Sequence, residues 1–116
     1  MGFLIRLLVS ALAAMLTAYL LPGVHLKSFV TALILALVLA ILNILVKPIL
    51  IILTLPVTIF TLGLFLLVIN AIIILLATKL VSGFTVDNFW WALLFSIVMS
   101  VIAGLMHSLA GGGNDN

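Results

Sequence analysis

The chain repeats itself at a distance of 60 residues, and the repeated unit has the pattern of a helical hairpin. Shifting the sequence by that distance aligns Pro22–Phe29 with Ser82–Phe89. Each segment has a Gly, then apolar and polar residues in alternation, then Ser or Asn before Phe. The match extends into the flanking apolar runs at Ala11/Ala71, Leu20/Leu80, Ala32/Ala92, Leu33/Leu93 and Val38/Val98. The sequence therefore predicts two helical hairpins in tandem.

The composition excludes a water-soluble domain. Hydrophobic residues make up 68% of the 116 residues and charged residues 5%, whereas a typical soluble chain has about 25% charged residues. Because a transmembrane helix takes about 20 apolar residues, the length predicts four spans and an all-α integral membrane protein in a lipid bilayer. The net charge of +2 is small and scattered, so no nucleic-acid partner is predicted.

The four predicted spans form a single transmembrane domain over residues 1–110, followed by a flexible Gly-rich tail over 111–116. Repeat 1 covers about residues 3–53, and repeat 2 covers about 57–110. Arg6 precedes the first apolar run as in a signal peptide. No small-x-small cleavage site follows that run, so we expect the first span to remain in the protein.

Proline and glycine mark the ends of the spans. Pro22-Gly23 ends span 1, because Pro cannot continue a helix and Gly accepts a positive φ. Gly83 lies in the matching second loop, and Pro56 is suited to the first turn of span 3, which we place at about 57–78. Gly63 within that span is expected to permit close helix packing.

Pro48 lies inside the second apolar run, which makes span 2 about 26 residues long if it continues to Leu53. A kinked helix is one interpretation, since Pro removes a backbone hydrogen bond. The alternative is that the helix stops at Lys47 and that residues 48–55 form a short interfacial or re-entrant piece.

Two spans separate the copies, so both hairpin loops lie on one side of the membrane and both chain ends on the other. The repeat is therefore parallel, with a pseudo-twofold axis along the membrane normal. Arg6 and Lys47 belong to the terminus side, and Lys27 and Lys79 belong to the loop side. This even count gives no clear positive-inside signal. The amino group and Arg6 beside span 1 favour cytoplasmic termini, and dual topology stays open.

Several residues fit the membrane interface. Trp90 and Trp91 follow the second loop and match an aromatic belt. Arg6, Lys27 and Lys47 are placed to anchor helix ends by snorkelling. Binding of anionic lipid headgroups or an oligomer contact is the functional alternative for these cations.

Span 4 carries a stripe of small residues at four-residue spacing, which places them on one helix face. Its members are Ala92, Ser96, Ser100, Gly104 and Ser108. Small residues let helix backbones approach each other in lipid, so the stripe indicates tight packing or a dimer seam. The alternative is that its serines line a water-filled path when several copies assemble.

Asn43 and Asn70 are the polar residues deepest in the predicted membrane, at similar distances from the turn at Pro56. Ser10 occupies the position of Asn70 in the first repeat. A layer of this kind holds helices together through hydrogen bonds or contacts a ligand or pore.

The residues needed for most chemistry are absent. The sequence has no Cys, Glu or Gln, and its acids are Asp87 in a loop and Asp115 in the tail. No predicted span holds a carboxylate, so a proton-coupled exporter is excluded. His25 and His107 belong to opposite sides of the membrane. We therefore predict no enzyme, metal or cofactor site.

The central run resembles the phage holin family, also called holin superfamily IV or YvlD-like membrane proteins. The resemblance rests on Asn43, Lys47-Pro48, Pro56, Thr61-Leu62-Gly63-Leu64-Phe65 and Asn70, followed by Gly83-Phe84 and Phe89-Trp90. It implies a small, four-span bacterial membrane protein. The family name implies oligomeric holes that release a cell-wall hydrolase or dissipate the membrane potential.

Three functions therefore stay open. The first is a holin-like homo-oligomer in the bacterial cytoplasmic membrane that forms a pore. The second is a structural or envelope-maintenance protein that binds other membrane proteins or lipids without conduction. The third is a small dual-topology ion channel.

Overall fold

A computed structural model describes residues 2–111, with side chains described over 2–109. In chain order, the elements are α1 (Gly2–Leu20), β1 (Val24–Leu26), α2 (Phe29–Leu45), α3 (Lys47–Leu53), α4 (Leu55–Phe60), α5 (Phe65–Leu80), β2 (Phe84–Val86) and α6 (Phe89–Gly111). Three helical runs are long and apolar enough to cross a membrane, and α5 is a shorter apolar helix. This arrangement confirms the all-α, four-span fold. Gly111, assigned to the tail from the sequence, ends α6, and residues 112–116 lie outside the described part.

The helices form a ring in which each one packs mainly on two others. Helix α1 contacts α2 and α6, and α5 contacts α6 and α2. Helix α3 continues along α5, while α4 touches α3 and α5 at the edge of the bundle. We call the end with the two strands the loop end, and the end with Gly2 and the last turn of α6 the terminus end.

The two hairpin loops pair with each other, which the sequence analysis did not predict. Strands β1 and β2 are antiparallel, with His25 opposite Thr85. The backbone N–H of Lys27 donates to Gly83 at 2.9 Å, and that of Asp87 donates to Gly23 at 2.9 Å. Lys27 and Asp87 are 60 residues apart, as are Gly23 and Gly83, so the two hydrogen bonds join equivalent positions of the two repeats. A local twofold axis therefore passes through the His25–Thr85 pair.

Equivalent side chains begin the helix that follows each strand. The Oγ of Ser28 accepts a hydrogen bond from the backbone N–H of Thr31 at 3.2 Å. The Oδ1 of Asn88 accepts one from the backbone N–H of Trp91 at 3.1 Å. Ser and Asn are strong N-cap residues because they satisfy a backbone donor that has no partner within the helix.

The loop end is closely packed. The fully buried rings of Phe84 and Phe95 lie 5.2 Å apart between centroids. Leu35 and Val81 are also buried beside them. Gly23 is required here, because a Cβ on it would lie 2.1 Å from the Trp91 ring.

The helical run around Pro48 is interrupted at Val46 but stays hydrogen-bonded across it. Val46 separates α2 from α3 with φ −93° and ψ −42°, which are helical values. Its N–H donates to Leu42 at 2.8 Å, and its carbonyl accepts from Leu50 at 3.0 Å. Helices α2 and α3 together give an apolar run over Phe29–Leu53, which favours the kinked-helix interpretation over a re-entrant piece.

The prediction of one continuous span 3 over 57–78 is wrong. Helix α4, with Pro56 in its first turn, ends at Phe60, and a tight turn precedes α5. Leu62 has φ 58° and Gly63 has φ 91° in that turn, a left-handed conformation that breaks the helix. The Thr61 hydroxyl accepts from the N–H of Phe65 at 3.1 Å and supports the new helix start.

Gly63 therefore serves the turn, and nothing lies within 4 Å of its Cβ position, so the close-packing expectation was wrong.

Candidate functional site: a polar cleft on the pseudo-twofold axis

A half-enclosed cleft of about 420 Å³ opens between α1, α2, α5 and α6 towards the terminus end. Seven of its lining side chains are polar or charged: Arg6, Ser10, Asn43, Lys47, Asn70, Ser96 and Ser100. The sequence analysis names all seven, as interface cations, as the deep polar layer or as part of the span 4 stripe. The structure brings them to one site, which we call the polar cleft.

The polar cleft lies on the pseudo-twofold axis. Lining residues occur as pairs separated by the repeat distance: Ser10/Asn70, Ala36/Ser96, Leu39/Met99, Ala40/Ser100 and Asn43/Ala103. Each pair takes one residue from each hairpin. Both copies of the repeat therefore form the same cleft, and its walls come from α1, α2, α5 and α6, with Lys47 at the start of α3.

The cleft is closed towards the loop end within one chain. Leu35 and Phe95 directly precede the cleft residues Ala36 and Ser96, and both are fully buried. Phe84 packs on Phe95, and the strand pair lies beyond them. Over residues 2–109, the polar cleft is therefore blind, and these side chains leave no continuous path across the bundle.

The charge in the cleft is positive. Arg6 and Lys47 both line it, with Lys47 half-buried and Arg6 exposed. Over residues 2–111 the one carboxylate side chain is that of Asp87, and it belongs to the loop end. There its Oδ1 lies 2.9 Å from the Nε2 of His25. Neither cleft cation therefore has a carboxylate partner among the described residues.

The neutral polar side chains of the cleft differ in whether they already form hydrogen bonds within the protein. The Ser96 hydroxyl donates to the Leu93 carbonyl at 2.8 Å and is buried. Asn43 is exposed and Asn70 is half-buried, and within the described part no hydrogen bond joins their side chains. The two amides are thus free to face a ligand in the cleft rather than to bond each other.

The small-residue stripe on α6 does not have one environment. Ala92 and Ser96 are buried within the bundle, and Ser100 lines the cleft. Gly104 and Ser108 are exposed towards the terminus end, and a Cβ on Gly104 would meet nothing within 4 Å. Ala92 and Ser96, at the loop end of the stripe, therefore pack within the chain. The role of the stripe as an oligomer seam or pore wall stays a prediction.

The remaining interface residues lie at the loop end. Trp90 is 68% exposed and meets the edge of Phe89, with ring centroids 5.5 Å apart. Trp91 instead covers Gly23. Lys27 and Pro22 are exposed.

Sequence reasoning did not find the His25–Asp87 contact or the strand pair. The signal was present, because apolar residues alternate with polar ones on both sides of His25 and Thr85, a pattern typical of strands. Among the residues that the structure describes, no three His, Cys, Asp or Glu side chains meet in a way that would hold a metal.

Comparisons with known proteins agree with the fold and its span count. The family model described as "Mycobacterial 4 TMS phage holin, superfamily IV" matches residues 1–105. The uncharacterized membrane protein YvlD of Bacillus subtilis is 43% identical over 98 residues, covering 84% of this chain and 82% of the relative. An uncharacterized protein of Streptomyces coelicolor is 35% identical over an alignment of 123 positions, covering 97% of this chain and 98% of the relative. No solved structure matches. The chain belongs to the four-span phage holin superfamily IV, as a multi-pass integral membrane protein of bacteria.

Proposed function

We propose that this holin-family protein is a non-enzymatic, non-conducting bundle of the bacterial cytoplasmic membrane that binds a ligand in its polar cleft. The observation that carries the proposal is the blind end of that cleft, closed by Leu35, Phe95 and Phe84. A conducting path through one chain would need an open lumen along the whole axis. In the loop half, Leu35, Phe84 and Phe95 fill the interior, and the buried Thr17 hydroxyl donates to the Ala13 carbonyl at 2.6 Å instead of facing a channel.

The lipid-facing surface supports the same function. Exposed positions on the long helices are largely apolar, among them Leu12, Leu37 and Val101. Polar groups are concentrated in the cleft, where they are held by two hairpins rather than by a partner chain. The bundle is thus suited to hold a ligand as a single chain.

The proposed orientation has both termini in the cytoplasm. Arg6 stands in the second turn of α1, and Lys47 begins α3 at the same end of the bundle. Lys27 and Lys79 balance these two cations at the loop end, so the orientation follows from the amino group and Arg6 beside α1, since positive charge near the first span favours the cytoplasmic side. The polar cleft then opens towards the cytoplasmic leaflet.

A homo-oligomeric pore is the second candidate. Gly104 and Ser108 are exposed on the terminus half of α6 and offer a smooth, weakly polar strip. Small residues of this kind allow helices of neighbouring chains to approach. In this candidate, the pore would form between copies, with Ser100 and Ser108 towards the water.

Membrane potential during graded induction distinguishes the two functions. A voltage-sensitive dye should report full potential at high membrane abundance of the tagged chain if the bundle does not conduct. The variants Ser100→Leu and Gly104→Leu, with Val101→Leu on the exposed apolar face as the matched control, identify a pore wall. Threshold depolarisation that the first two variants remove and the control retains would overturn the non-conducting function and establish the pore.

A further inference from the structure

We propose that the polar cleft is a phosphate site, and that the phosphate is carried on the headgroup of an anionic lipid. Arg6 and Lys47 supply the positive charge. The inference rests on the proposed function, since it names the ligand of the same cleft. Each part of it follows from the charges, the side-chain chemistry and the position of the cleft.

The charges call for an anion. Ionisable side chains at membrane depth are costly unless they are paired or reach water. Arg6 and Lys47 line one cleft, and over residues 2–111 the carboxylate of Asp87 is engaged by His25 at the other end. Two cations that face one space without an acidic side chain produce a positive potential there, so an anionic group is the ligand that fits.

The side chains suit phosphate oxygens in particular. An Arg guanidinium offers a planar fork that binds two oxygens at once, and a Lys ammonium adds a compact charge. Asn43, Asn70 and Ser100 add neutral hydrogen-bonding groups on the same walls. These groups can bind further phosphate oxygens or the hydroxyls of a glycerol headgroup.

The position of the cleft favours a lipid as the carrier. Its mouth is at the terminus end, where lipid headgroups meet the helix ends, and apolar side chains of Phe3, Ile44 and Met99 line it beside the charged ones. A headgroup could therefore bind with its acyl chain still in an apolar setting. Basic pockets between transmembrane helices are known to hold phosphate-bearing headgroups.

The loop end supplies a built-in comparison. Lys27 and Lys79 are exposed cations at that end, and neither lines the polar cleft. They give the same overall charge without convergent polar groups. A double change there removes as much charge as a double change in the cleft, and so separates a specific site from general attraction to an anionic surface.

The test uses the purified full chain in detergent, with bound lipid counted by native mass spectrometry. The probes are phosphatidylglycerol, phosphatidylcholine and oleate, the last an anionic lipid without phosphate, and millimolar inorganic phosphate is added as a competitor. We expect one phosphatidylglycerol to bind in preference to both other lipids. Arg6→Gln with Lys47→Gln should weaken it about 25-fold, from about fivefold for each cation.

The controls decide what a loss of binding means. Lys27→Gln with Lys79→Gln should leave the affinity within about twofold, since these exposed cations are outside the cleft. Arg6→Lys with Lys47→Gln should recover part of the about fivefold that Arg6 contributes, because Lys keeps the charge but lacks the planar fork. Circular dichroism checks folding. If the double Gln variant does not fold, Lys47→Gln alone carries the test with its expected loss of about fivefold.

Several results would overturn the inference. If oleate binds as tightly as phosphatidylglycerol, the cleft does not recognise phosphate. If the loop-end variant weakens binding as much as the cleft variant, the cleft is not a specific site. If inorganic phosphate binds and abolishes the preference for phosphatidylglycerol, the ligand of the cleft is free phosphate and not a lipid headgroup. Intact membrane potential with no lipid preference would overturn this inference alone, whereas depolarisation would overturn the proposed function.

Discussion

At the loop end of the bundle the two hairpins are joined by a strand pair and packed around Phe84 and Phe95, whereas at the terminus end they part around a polar cleft. The same repeat builds both ends. Large apolar side chains near the axis close it at one end, and Ser10, Asn70 and small residues near the axis open it at the other. The comparison indicates that the fold is stabilised mainly at the loop end, which leaves the terminus end free for polar groups.

The largest effect should come from removing a ring at the loop end. Phe84→Ala leaves a cavity beside Phe95, and the expected loss in the free energy of unfolding is about 3–5 kcal/mol. Phe3→Ala at the mouth of the cleft should cost less than about 1 kcal/mol, because Phe3 is already 58% exposed. Denaturation in mixed micelles followed by circular dichroism measures both. Equal losses would contradict the idea that the loop end dominates stability.

Two glycines, one at each end of the bundle, test the same comparison with smaller expected changes in the free energy of unfolding. Gly23→Ala forces a Cβ against the Trp91 ring, and the expected destabilisation is about 1–3 kcal/mol. Gly104→Ala should instead stabilise α6 by up to about 1 kcal/mol, since open space surrounds it and Ala is the better helix former. The same unfolding titration reports both, and a stable Gly23→Ala variant would show that Trp91 swings away without cost.

The helix cap at the loop end should have a smaller effect. Asn88→Ala removes the acceptor for the Trp91 N–H, so the expected loss is about 1 kcal/mol. Asn88→Ser keeps a capping group and should restore most of that stability. Thermal unfolding of the three chains checks this order, and an unchanged midpoint for Asn88→Ala would mean that water replaces the cap.

The smallest effect belongs to the contact between His25 on β1 and Asp87, which directly follows β2. His25 and Asp87 have side chains 56% and 55% exposed, and exposed pairs contribute about 0–1 kcal/mol. A double-mutant cycle with His25→Ala and Asp87→Asn should therefore give a coupling below about 1 kcal/mol that falls as salt rises. A larger, salt-insensitive coupling would make this pair a structural part of the strand pairing.

The sequence predicted the architecture where one signal controls it. Apolar runs determine the number of spans, and Pro22-Gly23 ends the first one because backbone chemistry allows little else. Pro48 predicted a kink, although it could not separate a bent helix from a broken one. The break before α5 was missed because Leu62 takes a positive φ, which a Leu seldom does.

The candidate site was predicted in parts but not as a whole. Arg6 and Lys47 were placed at one end, and Asn43 and Asn70 at similar depth, from spacing alone. Whether they face one another depends on the rotation of each helix about its own axis, which is determined by packing. That rotation follows from contacts such as that of Phe95 with Phe84, which the sequence does not report.

The twofold axis through the His25–Thr85 pair has a consequence for stoichiometry and for change over time. A pocket beside the axis would occur twice in a duplicated chain, whereas a pocket on the axis occurs once, with both copies contributing to it. Each wall position is then present in duplicate, so one copy can keep a packing residue while the other acquires a polar one. Ala36 and Ser96, or Ala40 and Ser100, form such unequal pairs. Duplication of a hairpin thus provides a single binding site whose two sides are free to diverge.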